Sequence, residues 1–201
     1  MTVPSGADVL AGYRPPNRIP LDKVVDRLDR HCRAFVELSP FAVLATADAA
    51  GRPDVSPRGG DPGFVTVLDE HRLALPDRTG NNRVDGLRNA VANPQVALLF
   101  LVPGIDETLR VFGTAELLAA DALDVDLTEF GRPPRSVLLV RVERAYFQCA
   151  KAVMRSGLWD PDRRVPRTAF APMSEVFRDH CALDTPLPDD EQMRAELAEE
   201  L

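Results

Sequence analysis

The sequence predicts a mainly β fold, a closed antiparallel barrel with helices at its periphery. Short apolar runs broken by turn residues dominate the middle of the chain. Their turn signals recur at short intervals, as is typical of antiparallel barrels, and helical spacing of apolar residues is concentrated toward the two ends. A parallel sheet would need long crossover segments between its strands, which this pattern does not favour.

The first element that we expect is an amphipathic helix. Apolar residues recur at helical spacing from Leu21 to Val36, which predicts a helix over about 21–38 that ends near Ser39-Pro40. Residues 1–40 would therefore form an N-terminal helical extension that precedes the barrel.

The barrel is expected to occupy residues 41–160. Its strands are predicted at 41–47, near 53–56, and at 63–69, 72–76, 95–102, 108–118 and 137–149. A short helix is predicted at 83–91, and Asp121 is expected to cap another helix that continues to about Leu127.

The tail, residues 161–201, is rich in proline and charge. We expect two helices there, around 173–183 and 189–201, packed on the barrel or on a dimer partner.

Composition limits the classes of function. The chain has 201 residues, of which 45% are hydrophobic, enough for the core of one domain. A net charge of -7 argues against a general nucleic-acid or anionic-membrane surface. No apolar run approaches the roughly 18 residues of a membrane helix, and three widely spaced cysteines suit reduced thiols, so we expect a cytoplasmic protein.

Four segments could carry chemistry, and the first is S-P-R-G-G-D-P-G at residues 56–63. Ser56 and Arg58 would end one strand, and the glycines would let the backbone approach a ligand closely. An arginine can grip a phosphate with two parallel donors. Alone, this segment favours the alternative interpretation, a glycine-rich hairpin loop with a solvated arginine.

The second segment is L-P-D-R-T-G-N-N-R at residues 75–83, which follows a strand and opens a helix. Asn81, Asn82 and Arg83 would lie near the helix N-terminus, where unpaired amides and the helix dipole attract anions. A surface loop with capping asparagines is the alternative.

The third segment is E-T-L-R-V-F-G-T-A at residues 107–115. Strand alternation places Thr108 and Arg110 on one face, with Leu109 and Val111 on the other. Arg110 would then need a partner, either a ligand phosphate or a carboxylate such as Glu116.

The fourth segment is Y-F-Q-C-A-K-A-V-M-R-S-G-L-W at residues 146–159. If residues 150–156 are helical, Lys151 and Arg155 share one face and could hold an anion. Trp159 could lie beside a planar ring, although its commoner role is packing.

Together, the four segments resemble the pyridoxamine 5′-phosphate oxidase-like, split-barrel FMN-binding family. The likeness covers roughly residues 41–160 and is most specific at 75–83, 104–115 and 146–159. It points to a bacterial branch with a PD-x-x-G-N-N-R loop. The resemblance implies a split β-barrel, the cofactor flavin mononucleotide (FMN), and a homodimer with two cofactor sites at the interface.

The resemblance also implies roles for individual residues. It implies that the FMN phosphate is held by Arg58, by Asn81, Asn82 and Arg83, and by Thr108 and Arg110. Ser56, Leu75 and Asp77 would line the flavin. Lys151, Arg155, Ser156 and Trp159 would reach the cofactor from either subunit, with Lys151 and Arg155 as candidate catalytic residues that stabilise negative charge on the reduced ring.

The activity expected from the resemblance is FMN-dependent hydride transfer on a small molecule. The tail has no counterpart of the motif with which true pyridoxamine-phosphate oxidases clamp their vitamin substrate, which argues against vitamin B6 synthesis. The alternatives are a non-catalytic carrier or sensor of flavin or haem, and a deazaflavin-dependent reductase.

Overall fold

The fold is built on one antiparallel sheet of seven strands. In this computed structural model, which describes residues 5–78, 80–185 and 187–199, every strand pair is antiparallel. The strands are β1 (Phe41–Ala47), β2 (Pro53–Gly59), β3 (Thr66–Val67), β4 (Arg72–Asp77), β5 (Gln95–Leu101), β6 (Thr108–Ala119) and β7 (Ser136–Gln148).

The sheet is open between its two edge strands. Its order is β2-β1-β5-β6-β7-β4-β3, and β2 and β3 are not paired with each other in the described part of the chain. The expectation of a closed barrel is therefore wrong, whereas the split β-barrel with peripheral helices is confirmed. The gap matters because it leaves β2 and the end of β4 free to form the two walls of a cleft.

The helices lie around this sheet. They are α1 (Gly6–Ala11), α2 (Arg18–Asp22), α3 (Arg30–Leu38), α4 (Asp85–Ala92), α5 (Lys151–Ser156), α6 (Met173–Cys181) and α7 (Asp190–Glu199). Two short 3-10 turns, Pro161–Arg163 and Arg167–Ala169, connect α5 to α6. No helix in the described ranges is long and apolar enough to cross a membrane.

The main core lies inside the sheet and is covered by α3. Leu44, Leu98, Phe100, Leu109 and Val111 are almost completely buried there. Alternate residues of β1, β5 and β6 supply this core, as expected for strands with one buried face.

The predicted single helix over 21–38 is wrong in its first half. The backbone of Val25 instead forms an isolated antiparallel bridge with Ala145 of β7. Helix α3 begins only after Asp29, whose side chain accepts hydrogen bonds from the amides of His31 and Cys32. A cap at position 29 and a bridge at position 25 leave no room for a continuous helix, although the apolar residues keep their helical spacing.

The helix expected from Asp121 to Leu127 is also wrong. These residues form turns and bends, and the Asp126 carboxylate accepts from the Thr128 amide just beyond them. Leu127 packs with Ala74 and Val137 in a small second core. Burying Leu127 there requires an irregular chain that crosses the end of β4.

The other predicted elements are largely confirmed. The helix expected at 83–91 is α4, and the tail helices are α6 and α7, although residues 200 and 201 lie outside the described residues. The strand expected at 63–69 is only two residues long. The Met173 amide donates to Asp190, so α6 and α7 contact each other. Packing of the tail on the barrel or on a partner stays a prediction.

Substituting Asp29 should destabilise α3. We expect Asp29→Ala to lower the free energy of unfolding by about 1 kcal/mol at neutral pH, because the substitution leaves helix amides without their cap. The amide of Cys32, as the main cause, holds the pKa of Asp29 below its ordinary value in the folded protein. The stabilisation is therefore complete above the ordinary aspartate pKa and is lost as the pH falls through the lower, folded-state pKa.

Urea unfolding of wild type and variant at neutral and strongly acidic pH checks this expectation. The difference in the free energy of unfolding between wild type and Asp29→Ala should be smaller at acidic pH than at neutral pH. Asp26→Ala is the matched control, since Asp26 makes only an exposed contact with Arg27. An equal loss of stability in both variants would contradict the capping role.

Candidate functional site

A cleft of about 970 Å³ opens between β2, the end of β4 and helix α4. This volume lies at the upper end of the range of small-molecule sites, about 300–1,000 Å³. The cleft occupies the gap where the sheet is split, and the start of β7 closes one end of it through Arg135 and Ser136.

Strand β2 supplies Ser56 and Arg58 to the cleft wall. Alternation along the strand puts these two residues on one side. Arg58 Nη1 donates a hydrogen bond to Asp77 Oδ1 across the cleft at 3.0 Å, and both side chains are largely buried. The Ser56 hydroxyl and the Arg58 Nε are buried without a hydrogen-bond partner among the described residues.

These two orphaned groups indicate a ligand. A buried donor without a partner costs about 1–3 kcal/mol, so such groups usually meet a bound molecule or ordered water. Gly86 of α4 helps to make the space beside them, because a Cβ there would lie 3.8 Å from Ser56 Oγ. The cleft thus presents unsatisfied polar groups at its base.

The loop from β4 to α4 forms the second wall. The Arg83 amide donates to Asn81 Oδ1 at 3.0 Å, and the Arg83 guanidinium pairs with Asp85. Asp85 raises the pKa of Arg83 above its ordinary value, so this exposed side chain is a permanent cation. Asn82 has a left-handed backbone conformation, with φ 56°, and its Oδ1 accepts from Arg135 Nη1 at 2.6 Å.

The cleft is lined by more cationic than anionic side chains. Five arginines and three aspartates line it among the described residues. Arg58 pairs with Asp77, Arg83 and Arg88 share Asp85, and Arg78 pairs with Glu129, whereas Arg135 has no carboxylate within 4 Å in the described ranges. This surplus of guanidinium groups suits a ligand with a doubly charged phosphate.

Two predicted site residues of β6, Thr108 and Arg110, lie outside the cleft. Thr108 is nearly buried, and the guanidinium of Arg110 lies over the rings of Phe112 and Tyr146, at 5.0 and 5.2 Å. Leu109 faces the core, as strand alternation predicts. The predicted convergence of Arg58, Arg83 and Arg110 is therefore not found within one subunit.

The segment after β7 also lies outside the cleft. Lys151 and Arg155 share one turn of α5, where Arg155 Nε donates to the Lys151 carbonyl at 3.0 Å, and Ser156 donates to the Val153 carbonyl. Trp159 Nε1 donates a hydrogen bond to the Ile105 carbonyl, so this side chain contacts the protein itself.

Leu75, the other predicted contact of the flavin, packs in the core and does not line the cleft. Of the predicted residues, the structure brings together those that line the cleft: Ser56, Arg58, Asp77, Asn81, Asn82 and Arg83.

Sequence reasoning missed three arginines of the cleft: Arg78, Arg88 and Arg135. Arg78 lies inside the second motif and Arg88 lies five residues after it, so wider attention to that motif would have found them. Arg135 had no local signal, because it reaches the cleft through the pairing of β7 with β4, in which Ser136 lies opposite Asp77.

The three cysteines are free thiols with different environments. Cys32 is buried, and burial, aided by Asp29, raises its pKa to about 12. Cys149 is exposed, and the backbone amide of Lys151, as the main cause, lowers the pKa of its thiol. Neither lines the cleft.

Comparison with solved structures found partial matches. Three solved structures each match about 60% of the length of this chain, with TM-scores below 0.5. HupZ from Group A Streptococcus is 20% identical over 59% of this chain and 92% of that one, with a TM-score of 0.47. A Lactobacillus delbrueckii protein provisionally assigned as a pyridoxamine 5′-phosphate oxidase is 26% identical over 61% of this chain and 95% of that one, with a TM-score of 0.47. HutZ, the heme storage protein from Vibrio cholerae, is 20% identical over 58% of this chain and 89% of that one, with a TM-score of 0.38.

No curated protein matches the chain significantly. A family model described as pyridoxamine 5′-phosphate oxidase matches residues 28–149, which is more than half of the chain and includes β1 to β7. The chain belongs to the pyridoxamine 5′-phosphate oxidase family.

Proposed function

We propose that the protein is an FMN-dependent oxidoreductase that binds FMN in the cleft between β2 and β4 and acts on a small molecule. The observation that carries the proposal is the pair of buried, unpartnered groups, Ser56 Oγ and Arg58 Nε, on the wall of a cation-rich cleft. Membership of the pyridoxamine 5′-phosphate oxidase family supports a flavin as the ligand.

The residues present fit the phosphate of FMN. Burying a dianion requires charge-assisted hydrogen bonds, and guanidinium groups supply them in pairs. In our proposal Arg58 and Arg83 bind the phosphate together with the side chains of Asn81 and Asn82. Arg83 is mostly exposed and paired with Asp85, so it would exchange a solvated contact for one with the ligand.

The flavin ring would lie along β2 and the end of β4. Ser56 Oγ and Asp77 offer polar groups to its edge, while Leu75 would contribute through its backbone because its side chain is in the core. Bound FMN would supply two-electron hydride chemistry, and the protein would orient the reactants and exclude water.

The remaining predicted residues are proposed to come from a second subunit. Lys23, Arg110 and Arg144 surround the stacked rings of Phe112 and Tyr146 on the outer face of the sheet. None of these three cations pairs with a carboxylate in the described part of the chain. Three unneutralised cations on one face suit an anion brought by another molecule.

The same outer face carries exposed apolar side chains. Val55 of β2 is 65% exposed, and Phe41 of β1 is 39% exposed. Exposed apolar residues beside charged ones are typical of an interaction surface. We therefore propose a homodimer in which Thr108 and Arg110 of the partner subunit approach the phosphate.

Helix α5 is proposed to contribute from the partner in the same way. Its cations, Lys151 and Arg155, would stabilise negative charge on the reduced flavin, with Ser156 and Trp159 beside them. We also propose that the protein acts in the cytoplasm.

The visible spectrum of the purified protein tests the proposed function. We expect the two absorption bands of oxidised flavin, and release of FMN on denaturation. Anaerobic mixing with a reduced nicotinamide should bleach the bands, and a suitable acceptor should restore them.

Other spectra would contradict the proposal in distinct ways. A Soret band would identify a haem protein, and a single band shifted from that of flavin would identify a deazaflavin. Flavin that no reductant or acceptor turns over would identify a carrier. A monomer that holds FMN tightly would contradict the two-subunit site.

A further inference from the structure

Among the described residues, two contacts join the two sides of the gap between β2 and β4. The first is the Arg58–Asp77 pair inside the cleft. The second involves Arg78, the residue just after β4, whose Nε lies 2.6 Å from Glu129 Oε2. Neighbouring residues at the end of a strand point to opposite sides. Asp77 therefore faces Arg58, while Arg78 reaches the chain segment that joins β6 to β7.

Glu129 connects three separate segments. Its Oε1 accepts a hydrogen bond from the backbone amide of Asp61 in the turn after β2. Its Oε2 pairs with Arg78, just after β4. Arg78 also donates to the Leu127 carbonyl at 3.0 Å. The turn after β2 is in turn fixed to the start of β1 by the Gly60 amide, which donates to the Pro40 carbonyl. Glu129 thus joins the β1-β2 half of the barrel to the β4 half.

The contact is tightly packed. The Glu129 side chain is only 8% exposed. A Cβ at Gly60 would lie 2.5 Å from Glu129 Oε1 and 2.7 Å from Phe64 Cβ, so the turn can approach the carboxylate only because residue 60 is glycine. Arg78 Nε and Glu129 Oε2 are close but not aligned as a hydrogen bond, so charge attraction rather than hydrogen-bond geometry holds them.

We infer that Glu129 is a positioning residue that sets the width of the cofactor cleft, acting through Arg78 and the Asp61 amide. This inference rests on the proposed function, because the cleft whose width it sets is the proposed FMN site. Removing the negative charge would release Arg78 from the far side of the gap. Arg58 and Asp77 would then carry alone the contact that keeps β2 and β4 together.

The test compares wild type with Glu129→Gln, which keeps the shape of the side chain and removes its charge. We expect the rate of FMN dissociation to rise about tenfold, and the visible circular dichroism of bound FMN to change as the walls separate. Asp190→Asn is the matched control. The Arg167–Asp190 pair has the same 2.6 Å separation but lies in the tail, so this variant should release FMN at the wild-type rate.

Coupling between the two residues distinguishes positioning from general loss of stability. In an Arg78→Gln background, Glu129→Gln should have little further effect on FMN dissociation, since its partner is already gone. If Glu129→Gln does not fold, Arg78→Gln alone carries the same comparison, because it removes the cation that the Glu129 carboxylate attracts. Equal dissociation rates in wild type, Glu129→Gln and Asp190→Asn would overturn the inference and leave the proposed function intact.

Hydrogen exchange in the protein without cofactor separates the two proposals. In Glu129→Gln we expect faster exchange of the amides of residues 58–61 and 77–78 than in wild type and Asp190→Asn. Unchanged exchange there would overturn the inference whether or not FMN binds. Failure of wild type to bind FMN would overturn the proposed function alone, and the exchange data would still decide the role of Glu129.

Discussion

Arg58→Ala is expected to weaken FMN binding by about 10- to 100-fold. A hydrogen bond to a charged group contributes about 1.5–3 kcal/mol, and each 1.4 kcal/mol is a factor of ten in affinity. Arg58 is also the cation most deeply placed in the cleft that pairs with a carboxylate there, so its removal leaves Asp77 buried without a partner. An uncompensated carboxylate in the cleft would repel the phosphate.

Quenching of FMN fluorescence on titration with the protein measures this loss. Arg52→Ala is the matched control, because Arg52 also pairs with an aspartate, Asp48, but lies in the exposed turn before β2. The control should bind FMN like wild type. If both variants bind equally well, Arg58 does not contact the cofactor.

Asp77→Asn distinguishes phosphate binding by the Arg58 guanidinium from a role of the Arg58–Asp77 pair in holding the walls of the cleft together. This variant keeps Arg58 and removes the carboxylate that competes with the ligand for it. If the guanidinium itself binds the phosphate, FMN affinity should be retained or increased. If the Arg58–Asp77 pair serves only to hold the walls together, both substitutions should weaken binding to the same extent.

The β part of the fold could be predicted because its signal is local. Alternation and turn residues mark β1, β5, β6 and β7 without knowledge of their partners. The prediction of one helix over 21–38 was wrong because the structure there depends on β7, where the backbone of Ala145 forms an antiparallel bridge with Val25. The helix expected from Asp121 failed because Leu127 is drawn into a core beside Ala74. Both errors are cases in which tertiary contacts override a local pattern.

The site divides in the same way. The motifs at 56–63 and 75–83 predicted cleft residues because each motif carries its own turn chemistry, and the split of the sheet brings them together. Glu129 was invisible in the sequence, since it acts from a turn that packs across two other segments. Arg110 lies in a motif that predicted a phosphate ligand, but its guanidinium lies over the Tyr146 ring, so contact with the phosphate would require the proposed second subunit.

Gly113 lies where strands β6 and β7 change register. The pairing passes from Phe112 with Arg144 to Gly113 with Val142, so Glu143 is an extra residue on β7. Such a bulge shifts the side-chain alternation by one. Both Ala145 and Val142 can therefore face the main core, which a regular strand would not allow.

Gly113→Ala should be among the most destabilising single substitutions in the chain. A Cβ at this position would lie 1.9 Å from the Arg141 carbonyl oxygen and 2.9 Å from its carbon, both of which are backbone atoms of the paired strand. The longest pair of strands would have to separate, at a cost of about 3 kcal/mol or more. For a chain of this length that corresponds to a fall in Tm of roughly 6–12 °C. Gly6→Ala, where nothing lies within 4 Å of the new Cβ, is the control and should not lower Tm. A Gly113→Ala variant with wild-type Tm would mean that the bulge does not bring the two backbones into such close contact.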